Sequence, residues 1–210
     1  MAKVEIRETH LYSDWFMRLR DPDARARIFT RVARLANGNP GDVRPVGKGV
    51  SELRIDYGPG YRVYYVKRGS LLILLLCGGD KRTSHKTLIE RWRWRLNWRT
   101  EMALKTRPYD AARYLDDDAT IAAYLQESLK VAMEDSDPGF LAQALGTVAR
   151  ARGMTEVAQA AGLSRESLYK ALDEDGNPEF GTILRVLQAL GLKLSITASD
   201  PSANSEGAAA

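Results

Sequence analysis

Apolar and polar residues in this chain alternate with a period of two in some stretches and recur at helical spacing in others, and these patterns divide it into elements. Val4-Glu5-Ile6-Arg7 alternates as a short first strand. Helices are expected over about Leu11 to Leu19 and Pro22 to Ala36. Asp21 is placed to cap the second, and Pro22 sits in its first turn, where the missing N–H has no helical partner to lose. Along that helix Ile28, Val32 and Leu35 share a face, flanked by Arg25, Arg27, Arg31 and Arg34, and Asn37-Gly38-Asn39-Pro40-Gly41 ends it. Three strands follow. Ser51 to Asp56 puts Leu53 and Ile55 on one face and Glu52, Arg54 and Asp56 on the other. After Gly58-Pro59-Gly60, Tyr61 to Lys67 sets Tyr61, Val63 and Tyr65 opposite Arg62, Tyr64 and Val66. Arg68-Gly69-Ser70 then turns into the apolar run Leu71 to Cys77, a buried strand ended by Gly78-Gly79. Connections this short predict an antiparallel meander. A basic helix is expected from about Ser84 to Arg99.

The pattern changes near Met102. Lys105 to Pro108 is a polar break and a candidate linker. Between Tyr109 and Asp137, Ile121, Tyr124, Leu125 and Leu129 form one helical face in an acidic stretch. After Asp137-Pro138-Gly139 helical signals recur to Leu190, and Leu192, Leu194 and Ile196 alternate as a last short strand. Ser199 to Ala210 is small and polar, the composition of a disordered tail. The expected fold is an α+β domain over 1–101, with helices on an antiparallel sheet, then an acidic linking segment over 102–137. An all-α domain with a short terminal strand follows over 138–198, and the tail occupies 199–210.

Within the second half, the order of small, apolar and capping residues predicts a helix-turn-helix centred on 154–172. Thr155 can cap a short helix whose Val157, Ala158 and Ala161 face inward, Ala158 being small where two helices cross closely. Gly162 stands where the turn needs positive φ, Leu163 plugs the core, and Ser164 caps a second helix. Ser167 takes the capping-box position without its usual Glu or Gln. Leu168 and Leu172 point inward, leaving Arg165, Glu166, Ser167, Tyr169 and Lys170 outward. In such a unit the outward face of the second helix enters the major groove, where Arg can read guanine and Ser or Tyr can hold phosphate or base edges. Few cations on this helix imply modest affinity per module and hence a dimer on operator DNA.

Charge sharpens the division. Residues 1–101 carry 21 Lys+Arg against 11 Asp+Glu, a net +10, and residues 102–210 carry 10 against 16, a net −6. Halves of opposite sign suit different partners or mutual attraction. At 44% hydrophobic and 28% charged the chain has the composition of a globular protein, not a disordered one. Its longest apolar run is too short to cross a bilayer, and the N-terminus lacks a signal-peptide core, so a cytoplasmic location is expected, with no membrane partner. Cys77 is the single cysteine, which excludes an internal disulfide and a thiolate metal cluster; no metal or other cofactor is expected.

In the basic half, Arg54 and Arg62 lie on the polar sheet face, and Gly78-Gly79-Asp80-Lys81-Arg82-Thr83-Ser84-His85-Lys86 adds Lys81, Arg82 and His85. Converging cations beside a sheet suit a phosphodiester, with Arg stabilising transition-state charge and a basic or neutral group moving the proton. Each of them taken alone fits a solvated surface residue better; the case rests on their convergence. The run Arg91-Trp92-Arg93-Trp94-Arg95-Leu96-Asn97-Trp98-Arg99 has two readings. Trp94 and Trp98 can pack the helix onto the protein, or the aromatics can stack on bases while Arg binds phosphate.

Residues 102–197, including Tyr109-Asp110-Ala111-Ala112-Arg113-Tyr114-Leu115, resemble the HigA-like, phage-associated antitoxins of addiction modules. The resemblance implies a helix-turn-helix that represses its own operon, with the rest of the chain neutralising a toxin. Ser51-Glu52-Leu53-Arg54-Ile55, Gly58-Pro59-Gly60-Tyr61-Arg62-Val63-Tyr64-Tyr65 and Leu76-Cys77-Gly78-Gly79-Asp80-Lys81 resemble the RelE/ParE toxin superfamily, closest to HigB-like killer proteins, over about residues 3–96. That implies a metal-independent, ribosome-dependent mRNA endonuclease or, by the ParE branch, a gyrase poison. By the same resemblance Arg62 and Arg82 fall on phosphate-stabilising arginines and Arg54 near a basic strand position. Leu88 stands where some of these nucleases have tyrosine, leaving His85 as the candidate acid or base. The whole is then a toxin–antitoxin fusion, with Met102 resembling a former start. The acidic stretch is expected to cover the cationic face and block its substrate, Ile121, Tyr124, Leu125 and Leu129 making the apolar contact. A catalytically inert, dimeric DNA-binding regulator stays open beside it.

Overall fold

The computed structural model describes residues 4–47, 49–69, 72–82, 105–173 and 176–196. The expected basic helix with Leu88 and its tryptophans, His85 and the expected tail lie outside the described residues.

The first half opens with β1 (Glu5–Thr9), α1 (His10–Met17) and α2 (Pro22–Ala36). Asp21 caps α2 by accepting from the N–H groups of Asp23 and Ala24, as the sequence predicts, and Thr9 caps α1 by accepting from the Tyr12 N–H. Next come β2 (Val43–Gly47), β3 (Val50–Ile55), β4 (Tyr61–Arg68) and β5 (Leu72–Asp80). Strands β3, β4 and β5 form the expected antiparallel meander. The sheet as a whole is nevertheless mixed, because β1 runs parallel to β5. Strand β2 was not expected: Pro45 interrupts its pattern, and the strand is tolerated at the sheet edge, where a missing N–H breaks no central ladder.

Strand β5 also runs on through Gly78 and Gly79 instead of ending there, with Val63 opposite Gly78 and Arg62 opposite Gly79. The glycines serve packing. A Cβ on Gly78 would lie 2.1 Å from the Trp15 ring, so only a bare backbone lets α1 seat against this strand.

Thr106–Pro108, expected as part of a linker, is a strand, β6, which pairs antiparallel with β1 and completes the sheet order β2-β3-β4-β5-β1-β6. A 3-10 turn over Ala111–Tyr114 leads into α3 (Asp118–Glu134) and α4 (Pro138–Arg152). Then come α5 (Met154–Ala160), α6 (Arg165–Ala171) and α7 (Phe180–Ala189), making seven α-helices among the described residues. Residues 192–196 form no strand among the described residues. Leu194 is 43% and Ile196 92% exposed, so the alternation there has no neighbouring strand to pair with.

One face of the sheet, through Leu53, Ile55, Val63, Tyr65, Ile73 and Leu75, packs on α1 and α2. The same continuous core passes through Tyr114, Ile121, Tyr124 and Leu145 to Leu168 and Val186. Both halves therefore share one apolar interior. The other sheet face holds a smaller cluster of Val50, Tyr64, Leu74, Leu76 and Cys77.

Candidate functional site

Three groups of residues bear on function: the junction between the halves, the arginines of the sheet, and the α5–α6 unit. The junction is built by α3 lying against α2 and β6 against β1. Arg25 on α2 is its centre. Its side chain is 11% exposed, and the guanidinium donates to the Tyr114 carbonyl, to Asp116 at 3.0 Å, to Asp117 at 3.2 Å and to the Thr120 hydroxyl at 3.2 Å. Asp117 caps α3 by accepting from the Thr120 N–H at 2.7 Å. Its carboxyl is held below the ordinary carboxylate range, first by the Thr120 hydroxyl and N–H and then by Arg25. Further along, Arg27 faces Glu127 at 3.6 Å and Arg34 faces Asp135 at 3.0 Å. Three arginines of basic α2 thus meet acids of the second half.

A second polar contact is buried outright. Glu8 of β1 is fully buried and accepts from Arg107 Nε and from the Tyr114 hydroxyl, both at 2.6 Å. Its charge is neutralised by an arginine from β6 and solvated by a tyrosine that follows it, so the carboxylate is buried only with the second half docked. Burial and the Glu8 carboxylate push the Tyr114 phenol well up.

The apolar part of the junction differs in detail from expectation. Ile121, Tyr124 and Leu125 are buried, with the Tyr124 ring 5.4 Å from Phe29 in an edge contact. Leu129 is half-buried, and the buried face instead continues through Ser128, Val131 and Ala132, following the 3.6-residue turn. Val131 and Ala132 cluster with Phe140 against Ala33.

The sheet arginines lie on the face opposite the helices. Arg54 and Arg62 are direct cross-strand partners, and both bind Glu52: Arg54 Nε at 2.8 Å and Arg62 Nη1 at 3.4 Å. Glu52 is 2% exposed, a buried carboxylate that allows two guanidinium groups to sit side by side. Beside it Tyr64, opposite Glu52 in register, has its phenol pushed up to about 12, chiefly by burial. Lys81 and Arg82 are exposed just past the end of β5, beside the Gly60 turn. Arg82 donates its N–H to Asp80 at 2.9 Å. The structure therefore brings Arg54 and Arg62 together and sets Lys81 two residues beyond Gly79, the partner of Arg62.

The acidic segment does not meet this group as expected. Four of its carboxylates are engaged with Arg25, Arg27 and Arg34 on the helical side, while Arg54 and Arg62 are held by Glu52. The pairing follows the distribution of charge along α2, which the sequence shows only as a flank of arginines. Glu52, Glu8 and Arg107 were missed because a charged residue in an alternating strand is ordinarily assigned to solvent.

In the third group α5 and α6 are joined through Ala161, Gly162 and Leu163, Gly162 taking φ of +66°. Ala158, Ala161, Leu168 and Leu172 are buried as the pattern requires. Gly146 of α4 lets α6 end close by, since a Cβ there would stand 2.7 Å from the Leu172 carbonyl oxygen. Ser164 caps α6, its Oγ accepting from the Ser167 N–H at 2.9 Å and donating to Ser167 Oγ at 2.8 Å. Arg165, Glu166, Ser167, Tyr169 and Lys170 are all exposed. Arg165 lies over the Tyr169 ring, 5.4 Å from its centre.

Comparison with known proteins bears on the second half. Residues 105–198 match the family model described as "Probable addiction module antidote protein". An uncharacterized protein of Haemophilus influenzae is 44% identical over 85 residues, 40% of this chain and 86% of the relative. Another from the same organism is 39% identical over 98 residues, 47% of this chain and 97% of the relative. No solved structure matches. Residues 105–198 thus belong to the addiction-module antidote family, which supports an antitoxin-like role in a toxin–antitoxin system, and an antidote implies a toxin as its partner. Among the described residues no helix is long and apolar enough to cross a membrane.

Proposed function

We propose that this chain is a toxin–antitoxin fusion, in which a RelE/HigB-like toxin domain over 1–101 is neutralised by the HigA-like antidote that follows it. The observation that carries the reading is the junction. A segment matching an antidote family lies on a basic domain through an added strand, a helix and four of its own carboxylates paired with three arginines. Each relative is covered over most of its length by less than half of this chain, so a unit of this size also occurs as a separate protein.

In this reading the toxin half is a ribosome-dependent mRNA endonuclease. Arg54, Arg62, Lys81 and Arg82 stabilise the phosphodiester, and His85 supplies the acid or base. The α5–α6 unit is a helix-turn-helix that binds operator DNA and autoregulates transcription. Phe180 and Leu184, exposed one turn apart on α7, supply an apolar strip for a second copy, as a dimer on a two-fold operator needs.

A second reading, an inert DNA-binding regulator, is favoured by one observation: Glu52 already neutralises Arg54 and Arg62. The test is inducible expression of the full chain beside a version stopped after Glu101, each also with Arg62→Ala and Arg82→Ala, scoring growth and mRNA length. Arrest and mRNA shortening by the short version alone, abolished by the substitutions, support the toxin. Arrest with intact mRNA points to a gyrase-poisoning, ParE-like action. No arrest by a folded short version leaves the inert regulator.

A further inference from the structure

The outward face of α6 is not a uniform row of DNA contacts, and its internal bonds assign different tasks to its residues. Ser164 Oγ spends its acceptor on the Ser167 N–H and its proton on Ser167 Oγ. It is therefore committed to the helix cap, while Ser167 keeps its own hydroxyl proton for an outside acceptor. Arg165 and Tyr169 stand at i and i+4, one above the other, with the guanidinium over the ring at 5.4 Å. Glu166, at i+1, faces another way and does not compete for Arg165. An exposed arginine ordinarily samples many rotamers and loses that freedom when it binds. Stacking on an aromatic face restricts it beforehand without using any of its five N–H donors, because the ring attracts the cation through its π face.

We propose that Tyr169 is a positioning residue which acts through Arg165, holding its guanidinium as a preformed fork for the O6 and N7 acceptors of one guanine per half-site. Tyr169 works through its ring, not through its hydroxyl. The inference rests on the DNA-binding reading of α5 and α6 given above. It narrows one element of the sequence reading, in which Ser or Tyr holds phosphate or base edges, to a role for Tyr169 in base discrimination. The two roles predict opposite behaviour. A phosphate contact sets affinity uniformly across sequences, whereas a platform for a base-reading arginine sets the preference at one position.

The experiment uses the full chain. A randomised double-stranded DNA library is selected and sequenced, and affinity is then measured on the selected duplex and on copies with each base pair changed. The wild-type chain is expected to select a site with one invariant guanine in each half. Arg165→Ala should lower discrimination at that position about tenfold or more. Tyr169→Phe, which keeps the ring, should stay within about twofold of wild type, and Tyr169→Leu should lose about three- to fivefold of discrimination at that guanine. Tyr169 is 43% exposed, so neither change reaches the core, and circular dichroism of each variant confirms the fold.

If Tyr169→Phe and Tyr169→Leu behave alike, or if Tyr169→Leu weakens binding equally on every sequence, the platform is refuted while DNA binding stands. If Arg165→Ala leaves the preference intact, Arg165 is not the reader, and the proposal fails with it. If the wild-type chain selects no sequence, the DNA-binding reading itself fails, a result distinct from both.

Discussion

Replacing Arg25 by Met keeps most of the length and the apolar stem of the side chain and removes the guanidinium. The Tyr114 carbonyl then loses a charged donor in a buried setting, which costs about 1–3 kcal/mol. The carboxylates of Asp116 and Asp117 are 69% and 48% exposed, so solvent screens those pairs to roughly 0.2–1 kcal/mol each. Met escapes the cost of desolvating a charge, which offsets part of the loss. The net expectation is a loss of about 2–3 kcal/mol, or a fall in Tm of roughly 4–12 °C for a chain of this size. Thermal unfolding of the full chain, followed by circular dichroism and calorimetry, measures it. Asp116→Asn is the companion variant and should cost less than about 1 kcal/mol, because its carboxylate is largely in water. The reasoning is refuted if Arg25→Met changes Tm by less than about 1 °C, or if Asp116→Asn costs as much as Arg25→Met. In either case the junction would not depend on a buried guanidinium.

Other consequences follow from single residues. Burial pushes the Cys77 thiol up to about 12, so in native protein at pH 8 it should resist a thiol-specific disulfide reagent and react only as the chain unfolds. Gly78→Ala drives a methyl group into the Trp15 ring and should destabilise by about 1–3 kcal/mol, read by denaturant unfolding with Trp fluorescence. The lowered Asp117 value contributes stability that is complete above the unfolded value, near pH 4, and is lost as pH falls through the folded value. Asp117→Asn, which retains a capping side chain, should therefore be less stable than wild type at pH 7, with the difference closing as the pH is lowered towards 2.

Much of the local structure was legible because local rules decide it. The Asp21 cap with Pro22 fixed the start of α2, and the alternation of Leu53, Ile55, Val63 and Tyr65 fixed which sheet face is apolar. Gly162, Ser164, Leu168 and Leu172 occupy the conformations and depths that their types imply. What failed depended on distant partners. Gly78 looks like a strand end until Trp15 is brought against it, and Thr106–Pro108 looks like a linker until β1 offers an edge. Glu8 and Glu52 look like surface residues until Arg107, Tyr114, Arg54 and Arg62 surround them. A charged residue enters a strand interior only where tertiary structure supplies its partner, and no periodicity carries that information.

In the proposed fusion, the placement of charge bears on how the antidote half would restrain the half before it. Carboxylates of α3 and the segments flanking it pair with Arg25, Arg27 and Arg34, and Arg107 of β6 with Glu8, so the contact is built on α2 and the β1 edge. Arg54 and Arg62 point from the opposite face of the sheet and have a carboxylate of their own. A simple plug, with acids lying in a basic cleft, would bind more weakly as salt rises and would compete directly with a phosphate. The observed contact instead joins a strand pairing, a continuous apolar core and an arginine buried among four acceptors, all resistant to screening. In the fusion proposed above, restraint built this way would act through the body of the domain. It leaves the charge on the sheet face to be balanced locally by Glu52.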